Sequence, residues 1–89
     1  MRVTLSMLEE KVKRINEALG AETSPFTAVE GGTKTNVGTF YISKAYGGVA
    51  LFRIVSTSGA ITMPIRSGHV TRRELNHQLD GMLYALNLA

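Results

Sequence analysis

The segment Gly68-His69-Val70-Thr71-Arg72-Arg73-Glu74-Leu75 gathers amide donors, a histidine and two arginines at one break from loop into helix. Thr71 and Glu74 have the spacing of a capping box, in which the threonine hydroxyl accepts the Glu74 amide and the carboxylate returns to the Thr71 amide. Val70 and Leu75 stand where a hydrophobic staple fixes the entry angle of the chain. Cationic side chains at the positive end of a helix dipole make a natural place for an anion. The glycine turn Tyr46-Gly47-Gly48 is a second place where backbone can approach a ligand closely. Tyr46, Gly47, Gly48, His69, Arg72 and Arg73 are therefore the candidate ligand-binding residues, for a nucleotide, an RNA or another phosphorylated ligand. The competing reading is that Gly47-Gly48 merely turns a hairpin and Gly68 merely ends a strand, since glycine turns are ordinary.

Catalysis finds less to build on. There is no P-loop, no HExxH and no dinucleotide fingerprint. No serine sits in a nucleophile elbow with His and Asp in support. The chain has no cysteine, which excludes disulfides, thiolate metal sites and thiol nucleophiles. Glu9, Glu10 and Glu17 read as helix-surface partners and Glu74 as part of the cap, leaving His69, His77 and Asp80 for acid–base or metal chemistry. His77 and Asp80 lie three apart on one helix and can face each other, but a solvated pair is the better explanation of that spacing. The expectation is a non-enzymatic protein without metal or cofactor.

These residues must be positioned by a small framework. Eighty-nine residues, 44% hydrophobic and 19% charged, describe one ordered domain over 1–89 with a modest core. A core of that size makes a homodimer a fair expectation. Ten basic residues against seven acidic give +3, scattered without a block of like charge, which permits a nucleic acid or acidic partner without demanding one. No apolar run reaches the ~20 residues needed to span a bilayer, so no membrane association is expected. Met1-Arg2-Val3-Thr4-Leu5 lacks a signal-peptide apolar region, so the expected compartment is the cytoplasm.

Ser6-Met7-Leu8-Glu9 reads as another capping box, opening a helix from about Met7 to Leu19. Leu8, Val12, Ile15 and Leu19 form its apolar stripe, and Gly20 stops it. Phe26 to Val29 is a candidate short edge strand turning at Glu30-Gly31-Gly32. Val37 to Ser43 alternates, Gly48 to Ser56 is nearly continuously apolar as a central strand should be, and Ala60 to Ile65 alternates again. Pro64 cannot donate to a ladder, which places that last strand at an edge. The final helix runs from Arg72 to about Leu86 on Leu75, Leu79, Met82, Leu83 and Leu86. The expected fold is α+β: a two-layer α-β-β-β-α arrangement, a three-stranded antiparallel sheet with a candidate fourth strand and two helices on one face.

Tyr46-Gly47-Gly48 supplies the turn between the first two strands, and Phe40, Ile42, Phe52, Ile54, Ile61, Met63 and Ile65 are the set expected to face the helices. Tyr41, Val49, Leu51, Arg53 and Val55 then face outward, too apolar a set to be left in water. Together with His77 and Tyr84 from the outer face of the last helix, they form the expected interface, for a second copy or a host protein.

Three segments, Leu8-Glu9-Glu10-Lys11-Val12-Lys13-Arg14-Ile15-Asn16, Ala45-Tyr46-Gly47-Gly48 and Gly68 to Leu75, resemble a group of small phage and prophage proteins. That resemblance implies an accessory viral product acting in the cytoplasm of a bacterial host, and it carries no reaction. The element order is also similar to the double-stranded RNA-binding domain, where a basic run opening the last helix contacts phosphates. Arg72-Arg73 stand at that place, but Leu75 and Asn76 depart from the run and the Tyr46-Gly47-Gly48 loop lacks the expected histidine. The leading expectation is thus an accessory binding module, and the alternative is a phosphate-ligand binder, either a nucleotide-sequestering counter-defence protein or an RNA-binding-like module.

Overall fold

The computed structural model describes residues 2–65 and 68–86. Met1, Arg66, Ser67 and residues 87–89 of the expected domain lie outside the described residues. The order is α1 (Leu5–Ala18), β1 (Phe26–Val29), β2 (Gly32–Thr35), β3 (Phe40–Ala45), β4 (Gly48–Ile54), β5 (Ile61–Thr62) and α2 (Arg72–Ala85). Strands β3-β4-β5 form an antiparallel three-stranded sheet with β4 central, and β1-β2 form a separate hairpin. The class is α+β, as the periodicity indicates. Phe26–Val29 is a strand, but it pairs with β2, which the sequence pattern did not reveal, and not with the main sheet.

Both helices begin in the same way. Thr4 caps α1 by accepting the Met7 amide, and Thr71 caps α2 by accepting the Glu74 amide, each at 3.2 Å. Val3 and Val70 precede the caps, Leu8 and Leu75 follow four residues after them, and all four join the core cluster. This is the hydrophobic staple twice over. It corrects the start expected at Ser6: the Val3–Leu8 staple needs Thr4 as cap and places Leu5 inside the helix. At the other end of α1, Gly20 at φ 71 supports a Schellman closure, with Gly20 N–H donating to Glu17 and Ala21 N–H to Asn16.

The register reverses the expected faces of β4. Phe40 opposes Arg53, Ile42 opposes Leu51 and Lys44 opposes Val49, and directly opposed residues share a face. Val49 and Leu51, expected outward, are only 4% and 2% exposed and pack with Leu8, Val12, Ile15, Phe40, Leu75, Leu79 and Leu83. Phe52 and Ile54, expected to face the helices, share the opposite face with Tyr41 and Ser43; Phe52 is half-buried there, whereas Ile54 is buried as expected, at 3% exposure. The cause is the turn. Ala45 pairs with Gly48, so the loop is the two residues Tyr46-Gly47, not three. Both have positive φ, 55 and 72, the type I′ geometry whose twist suits a tight hairpin. One residue fewer in the loop shifts the pairing by one and exchanges the two faces of the second strand.

Ile61, Met63 and Ile65 do not share a buried face: Ile61 opposes Ile54 and is exposed, whereas Ile65 packs against the core. The edge strand stops after Thr62, two residues before Pro64, and the chain returns to β4 only at Val70, which exchanges both backbone bonds with Val49 at 2.8 Å. Proline's missing donor accounts for the interruption.

Two buried polar side chains hold the backbone in place, one between layers and one within the small hairpin. Asn16 on α1, 1% exposed, donates to the Phe40 carbonyl at 2.9 Å and accepts the Phe40 amide at 2.8 Å, doing for β3 what a neighbouring strand would do. Asn36 donates to the Ser24 carbonyl and to Thr27 Oγ1, both at 2.8 Å, and so ties the β1-β2 hairpin to its own base.

Candidate functional site

The hairpin tip divides the candidate ligand-binding residues between two sides of the sheet. On the side away from the helices, four rings form a chain. Tyr41 and Phe52 lie 5.9 Å apart, Phe52 and His69 5.8 Å, and His69 and Tyr46 5.5 Å, each pair edge to face. Ser43 Oγ and His69 Nε2 lie 3.1 Å apart, so a hydrogen bond holds the imidazole against the sheet. Tyr46, 96% exposed, ends the chain at the tip.

On the helix side of the same tip, Lys44, Ala45, Gly47, Gly48, Val49 and Arg72 line a shallow groove of about 360 Å³. Gly48 lies against the incoming segment: a Cβ there would stand 2.8 Å from the Val70 carbonyl oxygen. Of the expected binding residues, then, Gly47, Gly48 and Arg72 come together with Lys44, while Tyr46 and His69 join the aromatic chain instead. Arg73 is exposed on the first turn of α2 and lines neither surface.

The expected interface set also divides. Tyr41 faces outward as expected. Arg53 lies on the helix side, its guanidinium 4.9 Å from the Phe40 ring centroid and its Nε donating to the Gly38 carbonyl at 3.3 Å. Val49 and Leu51 are core. Val55 lies beyond the end of β4 and is exposed, as are His77 and Tyr84 on α2. Asp80 does not pair with His77: it takes Lys11 of α1 at 2.5 Å, and the same ammonium donates to the buried Asn76 Oδ1 at 2.6 Å. This joins the two helices and accounts for Asp80 structurally.

The acids are unevenly placed. No acidic residue occurs between Glu30 and Glu74, a stretch that contains Lys34, Lys44, Arg53, Arg66, Arg72 and Arg73. Glu9, Glu10 and Glu17 sit on α1, Glu22 in the connector, Glu30 at the tip of the small hairpin, and Glu74 and Asp80 on α2. The entire main sheet is acid-free. That absence was readable in the sequence; Phe52, Ser43 and Lys44 as site residues were not, because they depend on the register.

Among the described residues no group of three His, Cys, Asp or Glu side chains could hold a metal ion, and no helix is long and apolar enough to cross a membrane. A second groove, of about 280 Å³ between α1 and the free edge of β3, is lined by Leu5, Glu9, Val12, Lys13, Ile42 and other residues, and it mixes both signs of charge. Compared with family models, curated proteins and solved structures, the chain has no match.

Proposed function

We propose that this chain is a non-enzymatic module that binds a nucleic acid through its sheet and the adjoining start of α2. One observation carries the reading: every acid lies off the main sheet, while Lys44 and Arg72 converge on one groove at the hairpin tip. An acid-free sheet with cations gathered at one groove draws a polyanion to that surface, while the helices, where acids and bases alternate, add no net charge of either sign. The resemblance to phage and prophage accessory proteins would place that encounter in a bacterial cytoplasm.

The test is binding of a labelled nucleic acid across a salt series. Affinity should fall steeply with salt, since each phosphate contact releases condensed counterions. Substituting Lys44→Ala with Arg72→Ala should weaken binding at least ~10-fold and flatten the salt slope by about two, roughly one for each lost contact. Both side chains are exposed, so the fold should survive. Unchanged affinity in that variant would remove the groove from the site.

A second reading, self-association or capture of a host protein, is favoured by the uncovered sheet face. Tyr41 and Phe52 are only half-buried there, and Ile61 is exposed beside them. Light scattering after size exclusion at two ionic strengths separates the readings. A dimer stable to salt and broken by Phe52→Ser would assign the face to a second copy, whereas a monomer leaves it open for another molecule.

A further inference from the structure

Resting on the nucleic-acid reading, we infer that the ligand is single-stranded, with its bases stacked on the outward rings of Tyr46, His69 and Phe52 and its backbone turning over the hairpin tip towards Lys44 and Arg72. Three observations converge on this. First, the rings are continuous. Successive centroids 5.5–5.9 Å apart, each pair edge to face, carry a run of aromatic rings from Tyr41 near the start of β3 to the tip, on the face away from the helices. Such a platform accepts any base, because every base has a π-face, but only when that base is unpaired. A duplex hides those faces in its own stack.

Second, Tyr46 occupies a position that the backbone would rather give to another residue. Its φ of 55 lies in the left-handed region, where asparagine or glycine is at ease and a tyrosine is strained. Its ring is almost wholly exposed and is absent from the core cluster. A large ring held at a strained turn, packed edge-on to His69 but adding nothing to the core, fits a contact outside the chain.

Third, the charge fits. The aromatic face itself carries neither sign, and the nearest groove round the tip carries two cations and no acid. A single strand satisfies both surfaces at once: planar groups on one side and phosphates on the other. A polyphosphate would use only the groove. An apolar protein segment would use only the rings.

The experiment measures fluorescence anisotropy with a short labelled DNA strand, an RNA strand of the same sequence, the matching duplex, and inorganic polyphosphate as competitor. The strands should bind at least ~10-fold more tightly than the duplex. Tyr46→Ala should lower strand affinity about 10-fold, a loss within the range of one base–aromatic stack, and Tyr46→Phe should retain it. Phe52→Leu, which keeps apolar volume at a half-buried position, should lower strand affinity similarly with little change in thermal midpoint. In all three variants competition by polyphosphate should be unaltered. Equal affinity for duplex and strand, or strand affinity indifferent to Tyr46→Ala and Phe52→Leu, overturns the stacking inference while leaving the broader reading in place. Failure of every nucleic acid and of polyphosphate to bind overturns both. Whether DNA or RNA binds better identifies the source of the strand.

Discussion

Replacing Asn16 by leucine should lower the unfolding free energy by about 2–5 kcal/mol, measured by urea denaturation. Asn16 gives Phe40 both of its backbone hydrogen bonds, at 2.9 and 2.8 Å, in a buried setting. Leucine has nearly the same size but no polar atom, so the Phe40 amide and carbonyl would both be left unpaired, at about 1–3 kcal/mol each. Domains of this size have little stability to spare. A shift below ~1 kcal/mol would mean that water or a backbone adjustment replaces both bonds. The Asn16→Asp variant sharpens the test. Its ionised carboxylate would still accept the amide but would oppose the carbonyl, and burial raises the carboxyl pKa above its unfolded value. Protonation restores a donor, so that variant should be most stable at acid pH and lose stability as pH rises through the raised pKa.

Gly48→Ala should be the second large loss, about 1–3 kcal/mol by the same measurement. The new methyl would meet the backbone of the His69-Val70 segment: the Val70 carbonyl oxygen at 2.8 Å, with His69 C and Val70 N both at 3.2 Å. None of these is the yielding end of a side chain. The segment must move away, and the paired Val49–Val70 bonds stretch as it does. Amide exchange at Val49 and Val70 should accelerate more than at Leu75 or Leu79, since the damage is local. His69 would be carried off the sheet with the same segment, so strand binding should fall along with stability. Undiminished protection at Val70 would show that the segment accommodates a methyl.

The helices and the class of fold were legible because long apolar periodicity and threonine caps are local signals. Even so, α1 begins at Leu5 and not at Met7: the capping-box pattern points to Ser6, whereas Thr4, two residues earlier, caps the helix and Val3 before it packs against the core. The faces of β4 were not legible. Val49-Ala50-Leu51-Phe52-Arg53-Ile54 is apolar on both alternations apart from Arg53, so its own pattern cannot say which residues turn inward. That choice falls to the parity of the hairpin loop. A tyrosine in a left-handed position disguised the two-residue turn, where Asn-Gly would have announced it. The candidate site inherited the same error, since exchanging the faces moved Phe52 out to the aromatic chain and Val49 and Leu51 into the core. The first strand and the turn of the small β1-β2 hairpin were legible, but its second strand escaped detection for a different reason: nearly all of its residues are exposed, and without a buried face there is little periodicity to read.

The Asn16 clamp bears on how the molecule behaves in a crowded solution. Along the outer margin of β3 the Phe40 backbone groups are already taken by a side chain of the same molecule, and along the margin beyond β4 the edge breaks off before Pro64. A foreign strand seeking to extend the sheet finds only short, interrupted footholds at either margin, and proteins that blunt their edges in this way resist ribbon-like aggregation. The purified chain should therefore remain dispersed at high concentration, and any assembly it does form should be broadside, across the aromatic face.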